Sequence, residues 1–308
     1  MKPIAPDEFR LPQERAPRLT RRRFILRGLQ SIAALGLAGL ATAGYGVGEA
    51  LSLAVRRYRL TPPGWPATQR LTIAVIADLH AGGPNMGLGH IRQIVDLANL
   101  LKPDLTLLLG DYFATHRFIT ERVPHEVWAE ELSRLTAPLG TWAVLGNHDW
   151  WYDVDGARGA LARVGIPLME NEARLLGPSG RQFWLAGLGD QLAHRLGPNW
   201  YKGEDDLPGT LRQVGHEHPV ILMAHEPDIF PQVPERVSLT ISGHTHGGQI
   251  RIPFLWPRWV PSMYGSRFAY GHIVEEKRHL IVSGGLGTSI VPMRIGMPPE
   301  IVHIELGA

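Results

Sequence analysis

The chain has 308 residues, 44% of them hydrophobic, with 35 Gly, 25 Pro and no Cys. That length suffices for one large domain with a real core plus extra segments, and the lack of Cys excludes disulfides and thiolate metal sites. The isoelectric point near 9.0 invites a nucleic-acid partner. However, residues 1–60 hold 11 of the 31 Lys+Arg against 4 of the 29 Asp+Glu, net +7, and residues 61–308 hold 20 against 25, net −5. The basic excess sits in the leader and not on the domain, which argues against nucleic acid.

Residues 1–19 are Pro- and Arg-rich without periodicity and are expected to be disordered. Thr20-Arg21-Arg22-Arg23-Phe24-Ile25-Leu26-Arg27 follows, similar to a twin-arginine export signature. Residues 29–48 carry no charge and are rich in Ala and Gly, a mild hydrophobicity that suits such a signal better than a strong anchor. Ala41-Thr42-Ala43 fits a small-x-small cleavage site, and apolar sequence resumes over 50–55, so an uncleaved membrane anchor stays open. Residues 1–55 are thus read as signal peptide or anchor, serving the twin-arginine translocase and placing the domain outside the cytoplasm, periplasmic or attached to membrane or wall. Residues 56–70, with Pro62-Pro63-Gly64 and Pro66, read as a linker.

The domain is expected over 71–308. Residues 71–77, 105–109 and 141–145 read as buried strands, and 88–101 and 125–135 as helices, a parallel α/β alternation. In such sheets ligands bind beyond the carboxyl ends of the strands. Asp78, Asp111 and Asn147 each fall at that end. Residues 158–164 read as helix, and short strands are expected at 174–176, 182–188, 220–224, 237–241, 267–269, 280–283 and 300–304. Helical patterns thin out there, which predicts a second, mixed sheet packed on the first. No repeat of solenoid or propeller period occurs.

The chemistry gathers after these strands. Gly243-His244-Thr245-His246-Gly247-Gly248 places two imidazoles one residue apart in a Gly-bounded turn, and imidazole is the commonest protein metal ligand. Asp78-Leu79-His80, Gly110-Asp111, Gly146-Asn147-His148-Asp149 and His225 each follow an apolar run of their own. Imidazole, carboxylate and amide without thiolate suit Mn, Fe, Zn or Co.

These five motifs, in this order, resemble the calcineurin-like metallophosphoesterase superfamily over about residues 70–308. Gly285-Leu286-Gly287-Thr288-Ser289 and Pro298-Pro299-Glu300 also resemble one bacterial branch, exported or membrane-tethered phosphodiesterases, some with twin-arginine leaders. The resemblance implies two mixed β-sheets packed face to face and flanked by helices, a four-layer αββα sandwich preceded by a signal or anchor helix. It implies two divalent metal ions: one held by Asp78, His80, Asp111 and His246, the other by Asp111, Asn147, His225 and His244, with Asp111 bridging. It implies His148 as general acid, with Asp149 orienting it, and in-line attack on a phosphate ester by a hydroxide shared between the ions.

Phosphodiesterase activity on an envelope ester, lipid- or cell-wall-derived, follows only from the branch. Hydrolysis of a lipid-linked sugar pyrophosphate, as by the similar UDP-2,3-diacylglucosamine pyrophosphatases, stays open, as does a non-catalytic envelope-binding role. His90, His116, His125, His194, His216, His218, His272, His279 and His303 are read as surface or loop residues. Gly284-Gly285-Leu286-Gly287 lacks the Lys of a P-loop and reads as a tight turn that could flank the metals. Residues 254–261, with Trp256, Trp259 and three Pro, read as a loop pinned by its aromatics or as a substrate-side or membrane-interface flap.

Overall fold

A computed structural model describes residues 21–251 and 260–307. The chain divides into two compact units, Met1–Gly44 and Tyr45–Ala308. The described part of the first is helical, within α1 (Arg21–Glu49). Among the described residues no helix is both long and apolar enough to cross a membrane. Trp256 and Trp259 lie outside the described residues, as does Thr20.

The second unit begins with the last turn of α1, where Gly46 O accepts Arg294 N (2.9 Å) and Glu49 Oε2 accepts Gly296 N (3.0 Å). The elements that follow, in order, are β1 (Ala54–Leu60), β2 (Leu71–Ile76), α2 (Leu88–Leu100), β3 (Leu105–Leu108), α3 (His125–Leu132), β4 (Thr141–Ala143), α4 (Asn147–Tyr152) and α5 (Val154–Arg163). Then come β5 (Glu172–Leu176), β6 (Phe183–Gly187), β7 (His194–Gly197), β8 (Trp200–Lys202), α6 (Leu207–Arg212), β9 (Val220–Met223), β10 (Leu239–Ser242), β11 (Gly271–Glu275), β12 (Arg278–Val282) and β13 (Glu300–Leu306).

Two mixed sheets form. The first has the order β1-β13-β2-β3-β4 and the second β11-β12-β10-β9-β6-β5, with β7-β8 a separate hairpin. Side chains alternate along each strand. Ile73, Val75, Leu105 and Leu107 of the first sheet therefore share one core with Leu185, Ile221, Met223, Ile241 and Ile281 of the second. Ala74, Ile76 and Leu108 face the other way, into a core with Ile91, Ile94, Val95, Trp128 and Leu161 of the helices. Val220, Leu222, Leu280 and Val282 face a third core with Leu207 of α6 and Ile229 and Phe230 of a 3-10 turn, Pro227–Gln232. Each such Ile, Val or Leu contributes about 1.5–3 kcal/mol on burial. The expected mixed α/β sandwich is present, with its outermost layer on the second sheet reduced to short helices.

Three expectations change. Residues 56–60 are not linker but edge strand, pairing parallel with β13 from Ala54↔Glu300 to Leu60↔Leu306. Arg56, Arg57 and Arg59 are exposed there while Tyr58 is partly buried, as charge on an edge strand is. Residues 267–269 are not a strand: a 3-10 turn, Gly265–Phe268, covers the first two with Ala269 as its C-cap, and Gly265 at φ 58° turns the chain. His303, read as surface or loop, is buried on β13, while His116 lies in a loop as read, though buried.

Candidate metal centre and cleft

The parallel strands of both sheets end at one place. Asp78 and His80 follow β2, Asp111 follows β3, Asn147 and His148 open α4 after β4, His225 follows β9, and His244 and His246 follow β10. The first sheet thus supplies the carboxylates and the amide, the second three imidazoles. Asp78, His80, Asp111, His244 and His246 all have positive φ, between 45° and 67°. Non-Gly residues disfavour this region, and five together mark a backbone bent to aim side chains.

Glycines make the room. Gly110 has φ 87°, and a Cβ there would fall on the backbone of Leu145 and Gly146. A Cβ on Gly285 (φ 68°) would stand 2.6 Å from Asp78 Oδ2. The 284–287 loop, expected as a tight turn, wraps Asp78, with Leu286 N donating to Ala77 O (3.0 Å) and Gly287 N to Asp78 O (2.7 Å).

Ligand-type atoms of Asp78, His80 and His246 lie within 4.8 Å of one another, and so do those of Asp111, His225 and His244. Asp111 Oδ2 stands between the groups, 3.6 Å from His80 Nε2 and 3.3 Å from His225 Nε2. His80 Nε2 approaches His246 Nε2 at 3.1 Å, and His244 Nδ1 approaches Asn147 Oδ1 at 2.8 Å. The other ring nitrogens are anchored: His80 Nδ1 meets Phe113 O (2.8 Å), and His225 Nδ1 meets Leu109 O (2.6 Å). A histidine ligand typically donates its second N–H in this way.

The electrostatics fit a cation. Burial pushes His80 and His244 down to about 4 and lowers His246 well below the ordinary value, so these rings are neutral and able to ligate. Burial also opposes the Asp111–His225 ion pair. Mutual attraction wins, holding the carboxyl well below and the imidazole well above their usual ranges. Asp78 Oδ1 accepts His244 N (2.8 Å), while Oδ2 is buried without a hydrogen-bond partner. A buried carboxylate oxygen orphaned among neutral imidazoles is costly unless a cation satisfies it. Arg294 donates toward His246 Nδ1 (3.2 Å), which leaves the ring proton on Nε2 facing His80.

The expectation for Asp149 does not hold. Its carboxylate accepts the backbone N–H groups of Asp111 (2.8 Å), Tyr112 (2.8 Å) and Gly146 (2.9 Å), tying the two loops that carry Asp111 and Asn147. The His148 ring pairs through Nδ1 with Thr115 Oγ1 instead. His148 has a ring nitrogen within 4.8 Å of the ligand atoms of His80 and Asp111, and it lines the adjoining cleft. His216 and His218 join no such cluster among the described residues.

That cleft, of about 890 Å³, reaches Asn147, His148 and His244. One wall comes from α4 and the β7–β8 hairpin. Trp151 stacks on Tyr201 (5.7 Å, 20°), the Arg195 guanidinium lies 3.8 Å over the Trp151 ring, and His148 is 5.2 Å from that ring. Thr115, His116 and Arg117 line the opposite side. Of these wall residues, Thr115, Arg117, Trp151, Arg195 and Tyr201 were not legible in the sequence. The nearest signal was the run Trp150-Trp151-Tyr152 directly after Asp149.

The calcineurin-like phosphoesterase family model matches residues 71–248. A transmembrane protein with metallophosphoesterase domain from Danio rerio is 32% identical over 245 residues, 77% of this chain and 53% of its own length, so the chain spans about half of that relative. Phosphodiesterase YaeI of Escherichia coli (strain K12) is 30% identical over 238 residues, 76% of this chain and 81% of that one. The uncharacterized metallophosphoesterase YkuE of Bacillus subtilis (strain 168) is 29% identical over 301 residues, covering 94% and 98%. With a cluster of Asp and His at the strand ends that fits divalent cations, the chain belongs to the calcineurin-like phosphoesterase family.

Proposed function

We propose that the protein is a dinuclear-metal phosphodiesterase acting on an envelope phosphate ester after export by the twin-arginine route. The observation that carries the two-metal reading is Asp111 Oδ2, which lies between an Asp78–His80–His246 group and a His225–His244 group. Asp78, His80, Asp111 and His246 would hold one ion, and Asp111, Asn147, His225 and His244 the other. Bound there, divalent ions supply Lewis acidity to the phosphoryl oxygens and acidify water.

The chain's own residues then do the rest. His148, at the cleft floor with Nδ1 held by Thr115, is oriented to give a proton from its ring to the leaving oxygen as the P–O bond breaks. Asp149 fixes the loops beneath it. The diester preference draws support from the relative named a phosphodiesterase. The export reading draws on Arg21 and Arg22 ahead of the charge-free stretch; it fails if changing both to Lys leaves export intact.

The test compares bis-p-nitrophenyl phosphate with p-nitrophenyl phosphate, using the full chain loaded with Mn. Diester turnover that falls roughly 100-fold or more in His148→Ala is expected. Monoester preference would sink the diester reading, and a single bound Mn would sink the dinuclear one.

A further inference from the structure

The mouth of the cleft differs from the rest of the surface. Tyr152, Met263 and Ile290 line it while 44%, 86% and 74% exposed. Phe118, Leu196, Trp200 and Tyr264, each next to a lining residue, are exposed as well. From β1 onward the other exposed large apolar side chains among the described residues are Leu100, Leu175 and Val274, at the end of α2, on β5 and on β11. Scattered apolar residues are ordinary, but a concentration around one opening marks an interaction site.

The exposure is built in. Asp228 accepts Ser262 Oγ (2.6 Å) and Met263 N (2.7 Å), which fixes the segment that presents Met263. On the other side, Leu196 and Trp200 stand on the β7–β8 hairpin, whose inner residues Arg195 and Tyr201 pack against Trp151. Two guanidinium groups share the opening. Arg117 lies over the Phe118 ring at 5.5 Å and Arg195 over Trp151, and among the described residues neither makes an ion pair.

We propose that this mouth seats on an anionic lipid surface, so that the phosphodiester cleaved beneath it belongs to an amphiphile held in that surface. The inference rests on the phosphodiesterase reading for its second half only. Apolar side chains around an opening enter the boundary between headgroups and acyl chains, while nearby guanidinium groups attract anionic headgroups. A lipid surface supplies an apolar layer and phosphate anions together. An apolar protein partner would leave Arg117 and Arg195 without counter-charge.

The chain lacks Cys, so Met263→Cys, Ile290→Cys and, as control, Leu100→Cys give single labelling sites in the full chain for an environment-sensitive fluorophore. Vesicles of phosphatidylcholine and phosphatidylglycerol at about 3:1 should shift the emission to the blue at 263 and 290 but not at 100, and pure phosphatidylcholine should act more weakly. Arg117→Gln with Arg195→Gln should erase the difference between the two vesicle types. Attachment through α1 alone would favour neither 263 nor 290 over 100. Equal responses at all three sites, or none at 263 and 290, overturn the proposal. The readout does not involve turnover, so its failure leaves the phosphodiesterase reading standing, and loss of diester turnover leaves a positive docking result in place. In a second measurement, Phe118→Ser with Trp200→Ser, both exposed beside the opening and outside the cleft lining, should lower turnover of a fluorescent phospholipid in those vesicles by about tenfold while bis-p-nitrophenyl phosphate turnover stays within about twofold. Equal losses on both substrates would sink the amphiphile half.

Discussion

Arg294 is fully buried, yet among the described residues no carboxylate pairs with it directly. Its guanidinium donates to Gly287 O (2.9 Å), Gly284 O (2.9 Å) and Met297 O (3.1 Å) and toward His246 Nδ1. Burial lowers its pKa to about 10, so it stays charged at neutral pH. One side chain thus holds the loop that wraps Asp78 and orients the His246 ring. Arg294→Met leaves three buried carbonyls without a donor and should destabilise the fold by about 3 kcal/mol. It should also weaken Mn binding roughly tenfold through the loosened His246. Arg294→Lys, a point charge without the planar fork, should not restore either property. Thermal unfolding and calorimetric Mn titration check both effects, and a wild-type profile in Arg294→Met would refute the bracing role. Nothing in Met293-Arg294-Ile295 signals this residue, because its importance lies wholly in what folds around it. The misreading of Asp149 has the same origin: next to His148 in sequence, its carboxylate faces backbone from two other loops.

At the scale of elements, the ends of β6 and β9 bring Asp190 against Glu226. Asp190 Oδ1 accepts Leu192 N (2.8 Å), and Glu226 Oε2 accepts Gln191 N (3.1 Å). Burial first, and the neighbouring Glu226 charge second, raise the Asp190 pKa well above the ordinary value. The folded chain therefore keeps a proton that the unfolded chain releases near the usual carboxyl pKa. Stability linked to that proton is complete below the unfolded pKa and declines as pH rises toward the raised folded value. Denaturant unfolding of the chelator-treated full chain at a series of pH values should show the wild type losing stability relative to Asp190→Asn as pH rises above about 4. Identical slopes would refute the assignment.

Elements buried on both faces were the legible ones. β2, β3, β9 and β10 are short apolar runs closed by Asp, Gly or His, and α2 shows its buried face at 91, 94, 95 and 98. β1, β7, β8 and β11 were missed because each lies at an edge or outside the main sheets. Their mixed burial leaves no continuous apolar run to read. The gathering of Asp and His at the strand ends was legible because the motifs' spacing survives in sequence. The cleft wall was not, because Trp151, Arg195 and Tyr201 meet only through packing.

For the whole molecule, neither sheet holds the site alone; the core between them keeps the carboxylates of one against the imidazoles of the other. Without a cation, Asp78 and Asp111 remain buried and, at Asp78 Oδ2, unsatisfied. Chelation should therefore lower the unfolding temperature, and Mn at about 100 times its Kd should restore about 2.7 kcal/mol. For a chain of this size that corresponds to about 4–5 °C. A chelator effect of the same size in His244→Ala would show that the stabilising ion sits elsewhere. The left-handed backbone at Asp78, His80, Asp111, His244 and His246 has a consequence for how such a chain changes over time. Each position costs about 1 kcal/mol of conformational strain that Gly would relieve, and Gly carries no ligand atom. At His80, Asp111, His244 and His246 the cavity and the lost hydrogen bonds outweigh that relief, but at Asp78, whose Oδ2 is orphaned without a cation, relief of strain and loss of a carboxylate at the cluster arrive in the same substitution. A screen of metal-free variants for heat resistance alone will drift at Asp78, and only selection in the presence of metal keeps its carboxylate in place.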